Sequence, residues 1–587
     1  MSKFDNDILL SDFSSCVIEK DNVTSLKSEK NRWKLIPYKS GLTEGVMLFA
    51  NSNDLPSDVT IPLNANGKYD VYVGVLNVGI RDSINVKLSS HSCFTTVETT
   101  PSVSDHRWRS EESAQELYLF TADISGESLI VNRQESGTER TSALLWVRCV
   151  PAKEDALNDF SNNSTHKIQY HFDGDITLDV ESDNPTEYVM KHFALKDSDV
   201  DFLSAELLVE TASCDSFLAD ANAYSNAMRV WSDHNRSFYK LQEKINDIRL
   251  KMAKEYGHRI YATFRMQISD FGFPYNMPLW KPAFNGEEGL RCVWRDSTRL
   301  DMFSYAFEEV RNYTINLLTN AVRKGYDGVS LILTRGLHIG FEKPVLDLFK
   351  ERYGDIDPTL LPLNDDRLIE CRGHFMNVLL RDLRSSLDVV AKEQNRKIGI
   401  NVISNYSLDT ALNFGLDIEN WAKQGYITEA TQADMEMFED LEGCMSDEKT
   451  ELIDLNKYSQ KLKTKPIICR NYATNMQKTL EGLKSYLELE ENYDVKVYAI
   501  LPWTHCVRPE EYAKAAEKLY EAGAKRLHMW NTGQCLEQPA EWNVVKRLGH
   551  KDELHKLSDQ SVKYYNTYRM LNLDNIDISL FSPNWRG

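Results

Sequence analysis

The sequence has little of several features that mark common classes of protein. Its ten cysteines are scattered singly, without a paired CxxC or a Cys/His array, so we expect neither a disulfide framework nor a structural zinc site. No apolar run approaches the length of a bilayer-spanning helix. The first residues, MSKFDNDILLSDFSS, carry acids where a secretory leader has its apolar centre. We therefore expect a soluble, cytoplasmic chain with no membrane partner.

Positive charge is also in deficit. The chain has 68 Lys and Arg residues against 88 Asp and Glu residues, a formal net charge of -20. A nucleic acid or an anionic membrane would be repelled by this field, whereas a neutral or cationic ligand would not. We therefore expect no nucleic-acid partner. The sequence is compatible with a homo-oligomer.

The pattern of the sequence changes along its 587 residues, a length that predicts two or three domains. Between about residues 67 and 151, short strands such as YDVYVGVLNV and SALLWVRCVP alternate with Gly, Asp and Ser turns. This pattern predicts an all-β sandwich of jelly-roll type. The polar stretch AKEDALNDFSNNSTH follows it. We place the sandwich at residues 1–155, a linker and lead-in segment at 156–200, and a second domain at 201–587.

In the second domain, strands alternate with long amphipathic helices, which predicts parallel strands joined by helical crossovers. Eight such units over this length predict a (β/α)8 TIM barrel. A doubly wound open sheet is the alternative, but no GxGxxG follows the first strand and no GxxxxGK[ST] occurs. The predicted strands are SAELLVET ending near Glu210, RIYATFRMQ near Gln267, GVSLILTR near Arg335, KIGINVIS near Ser404, GYITEAT near Glu429, PIICRN near Asn471, KVYAILPW near Trp503 and AKRLHMWN near Asn531.

Polar and aromatic residues gather at the carboxyl ends of these predicted strands, where TIM barrels build their sites. Arg335, His338 and Glu342, for example, follow the third strand within a few residues. Aromatic rings stack on the C–H faces of sugars, and amide and guanidinium groups bind hydroxyls, so the combination predicts a carbohydrate site. The candidate substrate-binding residues are Arg265, Gln267, Trp280, Arg335, His338, Asn405, Arg470, Trp503 and Trp530.

Hydrolysis of a glycosidic bond requires two carboxyl groups, one on each side of the bond. We select Glu342 and Glu429 as this pair, with Asp270 in reserve. Each has a structural alternative. Glu342 precedes a predicted helix, KPVLDLFKERYG, whose dipole favours an acid there; Glu429 could form a salt bridge across the barrel; and Asp270 lies in a loop where Asp is a common turn residue. No cofactor is implied, because carboxyl groups transfer the proton themselves.

Several of these segments resemble a group of bacterial proteins known as family-10-like glycosylhydrolases. They are YDGVSLILTRG…FEKPVLDLFKERYG, DDRLIECRGHFMNVLLRDLRSSL, GLDIENWAKQGYI, GKYDVYVGVLN and LLWVRCVP. The resemblance implies a TIM barrel behind a β-sandwich, hydrolysis of glycosidic bonds in polysaccharides, and a site role for Arg335 and Glu342. Many retaining barrel glycosidases carry Asn-Glu after strand four and Glu after strand seven, but this chain has VISNYS and LPWTH there, and no DxxDxDxE run. Its chemistry would need other acids.

Two further hypotheses remain open at this stage. A non-catalytic carbohydrate-binding protein on the same scaffold predicts that no two carboxylates converge at the barrel mouth. A metal-dependent hydrolase would need histidines and acids as ligands, and His338, His505 and His528 are available without a recognisable ligand spacing.

Overall fold

The computed structural model describes most of the chain. No described helix is long and apolar enough to cross a membrane. The described residues are 6–26, 28–51, 54–77, 83–91, 94–99, 113–133, 141–153, 164–172, 198–207, 244–266, 288–334, 338–433, 435–436, 471–472, 476–501, 509–530, 544–559 and 565–572.

The described strands, in chain order, are β1 (Ile8–Leu10), β2 (Val23–Thr24), β3 (Trp33–Ser40), β4 (Glu44–Ala50), β5 (Val59–Pro62), β6 (Lys68–Asn77), β7 (Ser83–Leu88), β8 (Thr95–Glu98), β9 (Ser113–Asp123), β10 (Ser128–Asn132), β11 (Ser142–Pro151), β12 (Ile168–Phe172), β13 (Val200–Glu206), β14 (Arg259–Arg265), β15 (Arg291–Val293), β16 (Arg299–Phe303), β17 (Gly328–Ile332), β18 (Gly399–Ser404), β19 (Glu429–Gln432), β20 (Met435–Glu436), β21 (Asn471–Tyr472), β22 (Lys496–Ile500), β23 (Leu527–Met529) and β24 (Tyr565–Asn572).

The described α-helices are α1 (Phe13–Cys16), α2 (Glu308–Arg323), α3 (Lys343–Tyr353), α4 (Asp366–Gln394), α5 (Leu408–Asn413), α6 (Ile418–Lys423), α7 (Met476–Asn492), α8 (Pro509–Glu521) and α9 (Leu554–Asp559). Single 3-10 turns span Lys20–Asn22, Glu288–Leu290 and Pro358–Leu360.

Two sheets, antiparallel apart from the pair β2–β3, are built mainly from strands that precede the barrel in the chain. The larger has the order β1-β11-β4-β3-β24-β9-β6, with β2 beside β3, and the smaller has the order β5-β10-β7-β8. Strand β6 also pairs with β11, so the larger sheet returns on itself. Apolar side chains of both sheets, such as Val73 of β6 and Val131 of β10, belong to one buried cluster. The two sheets therefore share a hydrophobic core, as the alternation of apolar residues predicts.

Strand β24 comes from the far end of the chain. It pairs with β9 and β3 and so completes the larger antiparallel sheet. The residues assigned to the first domain from sequence, 1–155, are therefore joined by Tyr565–Asn572. The text of this strand, YNTYRMLN, mixes polar and apolar residues, so its sequence alone does not indicate which sheet it completes.

The second region is a closed barrel of parallel strands in the order β12-β13-β14-β17-β18-β19-β22-β23, with β12 pairing β23 to close the ring. This confirms the predicted fold class, a (β/α)8 barrel combined with antiparallel β-structure. Amphipathic helices run between the strands. In α2, for instance, Val310, Leu318 and Val322 are buried on one face, and the helix packs against α4.

The first barrel strand differs from the prediction. Strand β12, Ile168–Phe172, lies inside the segment 156–200 that the sequence assigned to a linker, so the barrel begins before residue 201. Of the predicted strand PIICRN, residues 466–470 lie outside the described residues, and Asn471 belongs to β21, which pairs with β20. Strand β12 has five residues and lies between polar segments, so its apolar pattern is too short to be recognised from the sequence.

The interior of the barrel contains a belt of hydrogen-bonded polar side chains, contributed by neighbouring strands. The Oγ of Ser204 lies 2.8 Å from Thr263 Oγ1 and donates to Ser330 Oγ at 3.0 Å. Asn401 Nδ2 donates to Ser330 Oγ at 3.1 Å, and Thr431 Oγ1 donates to Asn401 Oδ1 at 2.8 Å. Because side chains alternate along a strand, residues two positions further along point to the same interior, at its carboxyl end.

Candidate active site

A buried ion pair connects the carboxyl ends of two neighbouring barrel strands. Glu206 is the last residue of β13 and Arg265 the last of β14. Arg265 donates to both carboxylate oxygens of Glu206, through Nε to Oε1 and through Nη2 to Oε2, the latter at 3.2 Å. The two side chains are 2% and 8% exposed. A bidentate pair of this kind fixes the carboxylate in position and stabilises its charged form.

His171, near the end of β12, lies on the other side of Glu206. Its Nε2 is 3.6 Å from Glu206 Oε2, a contact longer than an ordinary hydrogen bond. The imidazole stacks on Trp530, with ring centroids 4.4 Å apart and planes at 22°. Strands β12 and β23 are neighbours in the barrel, and this brings the two rings together. The site is thus walled by an aromatic side chain beside its charged centre.

The environment of Glu206 holds its carboxyl group in the charged form. Burial opposes ionisation, but the charge of Arg265, followed by the contact with His171, outweighs it and holds the pKa of Glu206 well below its ordinary value. A carboxylate that stays ionised near neutral pH can act as a base or a nucleophile, but it has no proton to donate. A reaction that needs an acid at this site would require a second group.

His528, in β23, is part of the same cluster. Its ring lies 6.3 Å from that of His171 and 5.7 Å from that of Trp530. Its Nδ1 is 3.2 Å from the backbone oxygen of Gln432, at the point where β19 stops pairing with β22. Burial, together with the charge of His171, lowers the pKa of His528 to about 3, so the ring is neutral at pH 7.

Asn405 follows β18 directly and is fully buried. It lies two positions beyond Ile403, whose side chain packs with Trp530 inside the carboxyl end of the barrel. Its backbone oxygen accepts a hydrogen bond from Tyr486 Oη at 2.7 Å. In the described part of the chain, its side-chain oxygen and nitrogen have no hydrogen-bond partner. Asn405 was predicted as a substrate-binding residue, and the structure places it, with Arg265 and Trp530, at this end of the barrel.

Glu342 is at the predicted end of the barrel, but its carboxylate is bound by backbone amides. Gly340 N donates to its two oxygens at 2.8 and 2.9 Å, and Val293 N donates to Oε1 at 3.0 Å. The side chain is fully buried, and burial raises its pKa. Glu342 also directly precedes helix α3, as its N-cap residue. These contacts tie the loop after β17 to strand β15, and they favour the structural role over the catalytic one.

Glu342→Gln is accordingly expected to lower the stability of the protein and to leave nearly unchanged any turnover that the wild type shows. The glutamine would keep one acceptor, but its NH2 group would face a backbone N–H, at a cost of about 1–3 kcal/mol for a buried unsatisfied donor. The melting temperature and kcat of the same variant measure the two effects. Glu351→Gln is the matched control, because Glu351 is exposed on the same helix. A hundredfold loss of kcat with an unchanged melting temperature would restore Glu342 as a catalytic residue.

The prediction that Glu429 ends a strand at the barrel mouth is wrong. Glu429 is the first residue of β19, so it lies at the amino end of the barrel. There it accepts hydrogen bonds from Tyr261 Oη at 2.9 Å and Arg259 Nη1 at 3.0 Å. The apolar sequence before it, GYIT, suggested a strand that starts earlier than the structure shows. Glu342 and Glu429 therefore do not form a pair across a substrate.

His338 also has a local role. It is buried in the loop after β17, and its Nε2 donates to the backbone oxygen of Leu333 at 3.2 Å. Burial lowers its pKa to about 4. No group of three or more His, Cys, Asp or Glu side chains among the described residues is arranged to hold a metal ion. The remaining predicted site residues lie outside the described residues, together with His505: Gln267, Asp270, Trp280, Arg335, Arg470 and Trp503.

The sequence did not point to Glu206 or His171 as the centre of a site, and His528 was considered only as a possible metal ligand. Glu206 lies inside the apolar text SAELLVET, whose end was placed four residues too late, at Glu210. A lone carboxylate within an otherwise apolar strand is the signal that could have identified it, since such a group must find a partner inside the fold. His171 was missed because its strand was assigned to a linker.

No family model matches the sequence, and no curated protein matches it. The structure is distantly similar to solved glycoside hydrolases. One is an α-galactosidase from Thermus thermophilus, with 11% identity over 87% of this chain and 94% of that one, at a TM-score of 0.31. Others are the CBM22-1–GH10 modules of Clostridium thermocellum endo-1,4-β-D-xylanase 10B, with 9% identity over 92% and 93% at 0.30, and a Podospora anserina GH26-CBM35 β-(1,4)-mannanase, with 10% identity over 92% and 95% at 0.23. Similarity at this level does not identify an activity, and the barrel assignment rests on the strand pairing itself.

Proposed function

We propose that this protein is a glycoside hydrolase that cleaves a glycosidic bond in an oligo- or polysaccharide, with Glu206 as its charged catalytic carboxylate. One observation carries the proposal: a buried carboxylate, kept ionised by Arg265, stands at the carboxyl end of a (β/α)8 barrel beside an aromatic wall. Sites in this fold are built at that end. Such strongly perturbed, partnered carboxylates are enriched at catalytic sites.

In this proposal Glu206 acts as the nucleophile, or as the base that activates water. Arg265 and His171 hold it in the ionised form and fix its orientation, while Trp530 contributes to the aromatic wall of the site. The proton for the leaving group has to come from a second carboxyl group. Asp270 is the candidate, because the sequence places it in the loop after the strand that ends at Arg265. No cofactor is required, since water and two carboxyl groups balance the reaction.

A non-catalytic carbohydrate-binding protein is the second candidate function. One observation favours it: neither carboxyl group of the predicted pair lies opposite Glu206. Glu342 is bound by backbone amides, and Glu429 lies at the other end of the barrel. A barrel mouth whose described part offers one carboxylate of this kind could bind a sugar and leave it intact.

A panel of aryl glycosides and natural oligosaccharides, incubated with the whole protein, separates the two functions. We expect release of aglycone or of new reducing ends from at least one class of substrate, and NMR of the first product gives the anomeric outcome. An increase in melting temperature with a sugar that is never cleaved would favour the carbohydrate-binding protein. Neither cleavage nor binding of any member of the panel would overturn both.

A further inference from the structure

The tautomer of His528 follows from its contacts. A backbone carbonyl oxygen can only accept a hydrogen bond, so the Nδ1 that lies 3.2 Å from Gln432 O must carry the proton. The ring is neutral, so Nε2 carries none and presents a lone pair. In the described part of the chain, this nitrogen is buried and has no hydrogen-bond partner. It can therefore accept a hydrogen bond from a donor such as a hydroxyl group.

Asn405 supplies complementary groups at the same end of the barrel. Its side-chain amide has one acceptor, Oδ1, and one donor group, the NH2 of Nδ2. Both are buried, and neither has a hydrogen-bond partner among the described residues. A buried amide left unsatisfied costs free energy in the unliganded protein. An amide of this kind can bind two neighbouring hydroxyl groups at once, accepting from one and donating to the other.

The charges at this end indicate what kind of ligand fits. Among the described residues of this cluster, the positive charge of Arg265 is matched by Glu206, and His528 is neutral. The chain as a whole carries a net charge of -20, which disfavours the approach of an anion. A hydroxyl-rich neutral ring satisfies the acceptor of His528 and the amide of Asn405 without bringing a second negative charge beside Glu206.

We infer that His528 Nε2 and the side-chain amide of Asn405 form a binding subsite for the hydroxyl groups of a neutral sugar ring, and that this subsite selects against uronic acids. The inference rests on the proposed function for its ligand class, but it concerns binding and not cleavage. His528 and Asn405 are specificity-determining residues in this subsite, and Glu206 supplies the chemistry.

Binding is measured with probes that resist cleavage. These are the neutral methyl glycosides of glucose, galactose, mannose and xylose, thio-linked disaccharides of the same sugars, and methyl glucuronide as the charged counterpart of methyl glucoside. Calorimetric titration at up to about 10 mM extends ten times beyond the upper end of usual KM values. We expect at least one neutral probe to bind, and its uronic acid counterpart to bind at least tenfold more weakly.

Two substitutions test the named atoms. Asn405→Leu keeps the volume and removes the free amide, while His528→Asn keeps a donor near the Nδ1 position and removes Nε2. Each is expected to weaken binding of the neutral probe at least tenfold. Asn405→Leu is also expected to raise the melting temperature, because it removes an unsatisfied buried group. The matched control is Asn377→Leu, since Asn377 accepts a hydrogen bond from Trp421 Nε1 at 2.6 Å outside the barrel and its loss should lower the melting temperature without changing binding.

The outcomes separate this inference from the proposed function. Hydrolysis by the wild type, with binding unchanged in both folded variants, would overturn the inference and leave the proposed function standing. Weakened binding in both variants, with no hydrolysis of any substrate, would support the subsite and overturn the proposed hydrolase function. Tighter binding of methyl glucuronide than of methyl glucoside, or no binding of any neutral probe, would also overturn the subsite.

Discussion

Glu206→Gln is expected to lower kcat by at least about a hundredfold on any sugar that the wild-type protein cleaves, the lower edge of what a positioned base contributes. Glutamine preserves the shape of the side chain but cannot attack a sugar carbon or take a proton from water. The variant should also lose stability, because Arg265 stays buried without its carboxylate. For this reason kcat has to be corrected for the folded fraction, measured by circular dichroism at the assay temperature.

Glu429→Gln is the matched control for that experiment. It makes the same chemical change in the same barrel, and it also breaks a pair between a buried glutamate and an arginine, Arg259. The difference is that Glu429 lies at the amino end. Its kcat per folded molecule should equal that of the wild type. Equal losses of kcat in both variants would mean that Glu206 acts only through stability.

The second large effect is expected for Arg259→Met, and it concerns the free energy of unfolding. Arg259 lies between the buried carboxylate of Glu429 and the partly buried carboxylate of Asp201, with Nη1 at 3.0 Å from Glu429 Oε1 and Nη2 at 3.0 Å from Asp201 Oδ2. Removing the cation leaves both without their main partner. We expect a loss of about 3 kcal/mol, the lower end for a broken buried pair, because Arg259 is 34% exposed and water screens part of its charge.

The pH dependence of that loss has a definite sign. Burial opposes the charge of Asp201, but Arg259, Tyr498 and Lys496 outweigh it and lower its pKa in the folded protein. A carboxyl group with a lowered folded pKa contributes stability above its unfolded pKa and loses it as the pH falls. The difference between wild type and Arg259→Met should therefore be largest at pH 7 and shrink below about pH 4, the unfolded value for Asp.

Urea unfolding at both pH values measures this difference. Arg323→Met is its control, because Arg323 forms an exposed pair with Glu393 at 3.6 Å and should change stability by less than about 0.5 kcal/mol. A difference between wild type and Arg259→Met that grows on acidification would contradict the described ion-pair network.

The fold class could be predicted from the sequence because its signals are long and regular. Helices such as α4, Asp366–Gln394, bury one continuous face, and strands such as β17 are short apolar runs between them. In short elements the apolar pattern is too brief to identify a helix or a strand. Strand β12 has five residues next to a polar segment, and β24 joins a sheet whose other strands lie more than 400 residues away, a distance that no local pattern encodes.

The site could be predicted only as a region. Arg265, Asn405 and Trp530 were predicted as substrate-binding residues because they come at or just after the ends of strands, and the parallel barrel brings them to one end. Glu342 and Glu429 were predicted as a catalytic pair, but the direction of a carboxylate depends on contacts rather than spacing. Glu342 turns back onto the amides of Gly340 and Val293, and only the folded chain brings those amides to it.

The pH dependence of kcat/KM tests most directly whether Glu206 is the ionised catalytic carboxylate. A base must be charged to act, so activity falls as the pH drops through its pKa. In the wild type, Arg265 holds the pKa of Glu206 low. We therefore predict that activity persists well below about pH 5, the region in which an ordinary glutamate loses its charge. Arg265→Met removes the neighbouring charge and should move the acidic limb upward by about one unit or more, since an adjacent cation lowers a carboxyl pKa by about 1–3 units. An acidic limb that stays at the same pH in Arg265→Met would contradict the assignment of Glu206.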